Sequence, residues 1–142
     1  MTSATLSVWT SDQALDATAV IELYDAVGWT AYTDHPKELL RGLRGSLRVV
    51  LAHEAGRLVG LARVIGDGAT ICYLQDVLVH PDAHRQGLGR KLVDEAFAPY
   101  ADVRQHVLIT DEEPGQKTFY EALGFTHLGS TIPGRAFVRF NT

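Results

Sequence analysis

Apolar residues recur along this chain at two spacings, and the switches between them divide it into elements. Leu6-Ser7-Val8-Trp9 alternates and predicts a short first strand. Ala14, Ala17, Val20, Ile21, Tyr24 and Val27 then recur at helical spacing, with Ser11 and Asp12 ahead of them as caps and Gly28 as the stop. Pro36 suits a first helical position and opens a shorter helix over 36–43. Residues 47–52, 58–65 and 71–79 read as three successive strands. The turns Glu54-Ala55-Gly56-Arg57 and Gly66-Asp67-Gly68 between them predict an antiparallel run. Leu88, Leu92, Val93, Ala96 and Phe97 form one apolar stripe and predict a helix over 88–98, closed by Pro99. A strand over 104–109, a helix over 114–123 capped by Gly124, and closing strands over 125–130 and 136–140 complete the chain. The order β-α-α-β-β-β-α-β-α-β-β is an α+β (mixed α/β) fold, with about seven strands and about four helices on the faces of a mixed sheet.

Composition narrows the classes. At 142 residues, without internal repeat or linker, the chain is expected to form one domain with its own core. A net charge of −4 argues against nucleic acid as the main partner. No apolar run approaches the roughly 20 residues that span a bilayer, so no membrane is expected. The first residues, Met1-Thr2-Ser3-Ala4-Thr5, lack the basic and apolar regions of a signal peptide, which makes the cytoplasm the expected compartment. The lone Cys72 excludes an internal disulfide and reads as a small buried hydrophobe. His53, His106 and His127 show no metal-ligand spacing, and no metal is expected.

Chemistry concentrates in His84-Arg85-Gln86-Gly87-Leu88-Gly89, a glycine turn between an apolar strand and an amphipathic helix. A turn of this kind aims unpaired backbone N–H groups and the positive end of a helix dipole at one spot, which suits an anion such as phosphate. Gly87 and Gly89 let a ligand approach the main chain, and Arg85, Arg90 and Lys91 add positive charge. An ordinary strand-to-helix loop would carry the same residues.

Together with Val79-His80-Pro81-Asp82 before it and Phe119-Tyr120-Glu121-Ala122-Leu123-Gly124-Phe125 later, the turn resembles the GNAT superfamily of acyl-CoA-dependent N-acetyltransferases. The resemblance implies a GNAT-like fold and acetyl-CoA as acetyl donor. It implies that Arg85, Gln86, Gly87, Leu88, Gly89 and Arg90 bind the pyrophosphate. The main chain at Leu78 and Val79 would pair with the pantetheine arm like an added strand, and Gln116 joins the cofactor-binding candidates on the face it shares with Tyr120. Two positions depart from the family's pattern. His84 stands where Arg or Gln is usual, and Glu113 stands where many members have an Asn that bonds the cofactor, a bond no carboxylate can donate.

Acetyl transfer to an amine requires that the amine lose a proton, that the carbonyl oxygen be stabilised and that the departing thiolate be protonated. Tyr120 resembles the family's general acid, and backbone N–H groups near Leu78 are the expected polariser. Asp76, with Gln75, interrupts an apolar strand. Either the pair is satisfied structurally, or Asp76 faces the cleft as base, as a relay through water or as a binder of a cationic amine. Tyr73 and His80 are weaker alternatives. Trp29, Tyr32 and Asp34, in the helix–helix connection, are the expected acceptor wall for a cation with an apolar body. The expected reaction is acetylation of a primary amine of a small metabolite by direct attack. A protein or peptide N-acetyltransferase and a non-catalytic acyl-CoA-binding regulatory module are the alternatives. Members of the superfamily are often homodimers, though no interface signal is read here.

Overall fold

A computed structural model describes residues 4–141, the side chains of Arg85 and Gln86 excepted. It divides into two compact units, one ending at Ile109 and the other beginning at Thr110.

The first unit is built on a five-stranded sheet in the order β1-β2-β3-β4-β5, formed by Thr5–Trp9, Arg48–Glu54, Arg57–Gly66, Ile71–Val79 and Gln105–Leu108. Neighbours run antiparallel except β4 and β5, which are parallel. A parallel pair needs a crossover, and α4 (Leu88–Phe97) supplies it. The β2–β3 hairpin turns on Ala55 and Gly56, both at positive φ (50° and 78°), the combination a tight two-residue turn requires. From Leu58 to Val64 every residue of β3 is buried, as expected of a strand covered on both faces.

On one face, α1 (Ala17–Ala26) and α3 (Pro36–Arg44) place Val20, Leu23, Tyr24, Leu39 and Leu43 against Trp9, Val49, Leu51, Leu61 and Leu78. On the other lies α4, so close at Gly60 that a Cβ there would sit 2.9 Å from Leu92 Cδ1 and 3.2 Å from Ala52 Cβ. Cys72 is fully buried in β4.

Local hydrogen bonding moved several expected boundaries. Helix α1 starts at Ala17 rather than just after Ser11-Asp12, because Asp16 is the residue whose carboxylate accepts from the Ala19 N–H (3.1 Å). Ala14 lies outside it, its carbonyl taking the Trp9 indole N–H at 3.2 Å. The helix–helix connection contains a one-turn helix, α2 (Thr30–Thr33), and a 3-10 turn spans Pro81–Gln86.

The second unit holds α5 (Pro114–Ala122). It ends in a paired-bond cap, with Phe125 N–H on the Tyr120 carbonyl and Gly124 N–H on that of Glu121, both 3.0 Å. Gly124, at φ 94°, supplies the left-handed residue this cap needs. The closing strands expected over 125–130 and 136–140 do not form among the described residues. One Leu128–Ile132 bridge is their sole ladder contact, and Gly129 and Gly134 turn the chain at φ 93° and 147°. Among the described residues the sheet therefore has five strands and not about seven, and there are five α-helices, α2 being the extra one.

Candidate active site

The register of β4 decides which of its backbone groups can meet a ligand. Its parallel pairing with β5 covers only Ile71 to Leu74, so residues 75–79 have no ladder partner on that edge among the described residues. On the β3 side Arg63 pairs with Asp76 and Val64 with Leu74, which leaves Gln75 as the extra residue of a bulge. Beyond the bulge the His80 N–H donates to the Val59 carbonyl at 2.7 Å, so alternation puts Leu78 in a bonded pair with Leu61. Val77 and Val79 turn their N–H and C=O outward. The expectation at Leu78 is thereby corrected: its main chain is spent on β3, and Val77 and Val79 line the free edge.

A 3-10 turn, Pro81–Gln86, leads from that edge to the glycine turn. Gly87 adopts φ 64°, a left-handed conformation that reverses the chain into α4, and a Cβ there would meet nothing within 4 Å. Among the described residues no side chain caps α4, whose N-cap is Gly87, and the first-turn N–H groups have no partner within the helix. Arg90 is exposed and only loosely paired with Asp94, at 3.9 Å. Arg85 and Gln86, expected to bind pyrophosphate, have side chains outside the described residues. His84, shorter than the usual Arg or Gln, reaches back with its imidazole Nε2 to the Val79 carbonyl at 2.8 Å.

Asp76 is the centre of a buried network. It is 3% exposed and accepts from Arg63 Nε (2.5 Å), Tyr24 Oη (2.9 Å) and Tyr32 Oη (2.8 Å). Arg63 also donates to the Gly42 carbonyl and Ser46 Oγ, and Gln75 Nε2 donates to Tyr32 Oη at 3.0 Å. Of the two readings open from sequence, the structure has Asp76 satisfied by partners: both carboxylate oxygens are engaged, and one carries an ion pair. Three donors fill three of the carboxylate's roughly four lone-pair sites, and Oδ1 keeps one. Burial and then the Asp76 charge push the Tyr24 phenol well above its ordinary range, and the same two causes raise Tyr32. In Arg63 burial pulls the other way, but the Asp76 charge and hydrogen bond together with the two tyrosines outweigh it and hold the guanidinium firmly protonated.

Raised phenols have a thermodynamic consequence. Above about pH 10 the unfolded chain sheds tyrosine protons that Tyr24 and Tyr32 retain in the fold. The unfolded state then binds fewer protons, so stability must fall as pH rises. Urea midpoints measured from pH 9 to 11.5 are expected to drop, with a shallower slope in Tyr24→Phe. Identical slopes in the two proteins would exclude Tyr24 as a source.

Of the expected acceptor residues, Tyr32 belongs to this network, and Trp29 packs on it and on Tyr24 with ring centres 6.3 and 5.9 Å apart. Asp34 is exposed at the end of α2. An open cleft of about 420 Å³ lies between α2–α3 and β3, with Tyr32, His35, Glu38, Arg41 and Arg63 among its walls. Tyr73, burial-raised, pairs with Val107 in the ladder. His80 uses Nδ1 to accept the Asp82 N–H at 3.1 Å. Sequence reasoning missed Arg63 and Tyr24. Arg63 had a signal, a single charge inside an apolar run, matching Asp76 in the next strand.

In the second unit, Tyr120 is 9% exposed and lies edge-to-face with Phe119 and Phe125, at 4.9 and 6.0 Å. Burial, and secondly the Asp111 charge, raise its phenol. Gln116 is half-buried one turn before it, and Glu113 is exposed at the N-cap of α5.

Comparison with known proteins identifies the family. The GNAT acetyltransferase domain family matches residues 45–127, more than half the chain, and the protein belongs to that family. A GNAT-family acetyltransferase structure from Streptococcus pneumoniae is 31% identical, with a TM-score of 0.84 over 98% of each chain. Serotonin N-acetyltransferase 2, chloroplastic, of rice (Oryza sativa subsp. japonica) is 32% identical over 91% of this chain, and a histone acetyltransferase of soybean (Glycine max) is 30% identical over 83%. The chain spans 66% and 55% of those two relatives' lengths. Among the described residues no helix is long and apolar enough to cross a membrane.

Proposed function

We propose that the protein is an acyltransferase that moves an acetyl group from acetyl-CoA to the primary amine of a small metabolite, the whole chain acting as one such domain. The observation that carries this reading is the free edge of β4 at residues 75–79, followed after a 3-10 turn by the glycine-started N-terminus of α4. An amide-bearing arm ending in a pyrophosphate needs an unpaired strand edge followed by clustered N–H donors, and the two stand in that order here. Acetyl-CoA, when bound, supplies the acetyl group as an activated thioester.

Val77 and Val79 offer N–H and C=O groups to the arm, and their N–H groups are the candidate polarisers of the carbonyl. The amides from Gly87 to Arg90, with the Arg85, Gln86 and Arg90 side chains, bind the pyrophosphate, and Gln116 is a further contact. Tyr120 Oη holds the proton for the leaving sulfur. Asp76 acts through Tyr32 and Gln75, holding the acceptor wall of Trp29, Tyr32 and Asp34 against the bulge, while the amine gives up its proton to water. The likeness to the rice serotonin N-acetyltransferase supports a small amine; that to the soybean histone acetyltransferase favours a protein amine as the second reading. The compartment on this reading is the cytoplasm, with the plastid as the competitor that the rice name raises.

Thiol release from acetyl-CoA across a panel of small amines and histone-tail peptides tests the proposal. Turnover with small amines is expected. Peptide-only turnover would move the acceptor class, and tight binding without any turnover would favour a regulatory module. Gly87→Val is expected to weaken acetyl-CoA binding about tenfold by calorimetry, since a β-branched residue at positive φ is strained by about 1–2 kcal/mol. A Cβ there meets no protein atom, so unchanged affinity would show that the turn does not hold the phosphates.

A further inference from the structure

We propose that His84 is a positioning residue that joins the two halves of the cofactor site; this rests on the acetyl-CoA reading above. The free edge of β4 and the amides of α4 are separate pieces of backbone, linked by residues 80–87. Within that link the 3-10 turn is pinned at its start, where the Ala83 N–H donates to the His80 carbonyl at 2.8 Å and Ala83 is 2% exposed. Its middle, three residues before Gly87, is tied back by an exposed side chain, that of His84. The His84 Nε2–H donates to the Val79 carbonyl at 2.8 Å, so Nε2 carries the ring proton.

The acceptor of that bond matters. Val79 C=O faces the unpaired edge and not β3, as the His80–Val59 bond shows. One imidazole thus grips the outward carbonyl of the edge and stands three residues before the left-handed glycine that starts the amide cluster. It sets the spacing between the pantetheine-pairing groups and the pyrophosphate donors. A carbonyl has two lone pairs, so Val79 can keep His84 and still accept from a ligand amide. The departure at this position is then a substitute: a shorter side chain that still delivers an N–H.

A residue that only joins two subsites leaves each subsite's own affinity alone and lowers the affinity of a ligand that spans both. The test is binding of acetyl-CoA, pantetheine and ADP to the wild type, His84→Ala and His84→Gln, with thermal unfolding alongside. His84→Ala is expected to fold normally and to bind each fragment within about twofold of wild type, yet to bind acetyl-CoA about tenfold more weakly. His84→Gln, whose amide can donate the same bond, is expected to recover most of the loss. Unchanged or tighter acetyl-CoA binding by His84→Ala overturns the role of His84 alone. So does an equal loss for ADP by itself, which would make His84 part of the turn rather than the join. A wild type that binds neither acetyl-CoA nor its fragments overturns the acetyl-CoA reading, and this inference with it.

Discussion

Replacing Asp76 with alanine is expected to lower the unfolding free energy by about 3–5 kcal/mol, because it removes one partner of a buried ion pair and leaves the other charged. The side chains of Arg63 and Asp76 are 8% and 3% exposed, so water cannot take over the lost contact. Two phenols lose their acceptor at the same time. For a chain of this size the loss corresponds to a fall of about 10–15 °C in Tm. Adding Arg63→Met to Asp76→Ala should recover part of the stability, since it removes the uncompensated charge. Urea unfolding of the three proteins measures this. A loss below about 1 kcal/mol, accompanied by disappearance of the acidic limb of the pH–rate profile, would sink the structural role and restore Asp76 as the base.

Replacing Tyr120 with phenylalanine is expected to lower kcat about 100-fold while leaving acetyl-CoA affinity nearly unchanged. General acids contribute about 10²–10⁴, and the raised phenol puts this one at the lower end. Burial and Asp111 keep the proton on Oη at neutral pH. They also make the phenol a weaker acid than the thiol it would serve. By ordinary values of about 10 and 8.5, the transfer is already uphill by about 2 kcal/mol, and the raised phenol adds to that. Steady-state kinetics with parallel calorimetry decides. Lost binding with unchanged kcat at saturation would mean that Tyr120 shapes the cofactor site and does not donate the proton.

The two interruptions of apolar strands show how far a sequence reading reaches. Arg63 and Asp76 are the single charges in their apolar strand interiors, and a buried charge without a partner is too costly to persist. That each needed a partner was therefore legible. That they were each other's partner was not, because it depends on the β3–β4 register and on a one-residue bulge at Gln75. The bulge leaves no mark in the alternation of residue types. It also separates the expected Leu78 from the observed Val77 and Val79 as the outward-facing groups. Burial and faces follow from side chains, whereas the direction of N–H and C=O follows from pairing.

The closing strands failed for a related reason. Residues 125–130 and 136–140 have strand-like composition, but a strand exists only where another ladder accepts its hydrogen bonds, and Phe137 and Phe140 are 89% and 82% exposed.

By itself, then, the sequence determined the five strands, the longer helices, the glycine turn and the family, though not the one-turn α2 or the start of α1. These are properties of local spacing and local backbone preference, carried by adjacent residues such as Gly87 beside the apolar stripe of α4. The tertiary structure alone decided which main-chain groups stay free, that Asp76 is held by three donors, and that His84 bridges strand edge and turn. Those contacts join residues up to 52 positions apart, as Tyr24 and Asp76 are. No local pattern encodes such a distance, because only packing and register bring the partners together.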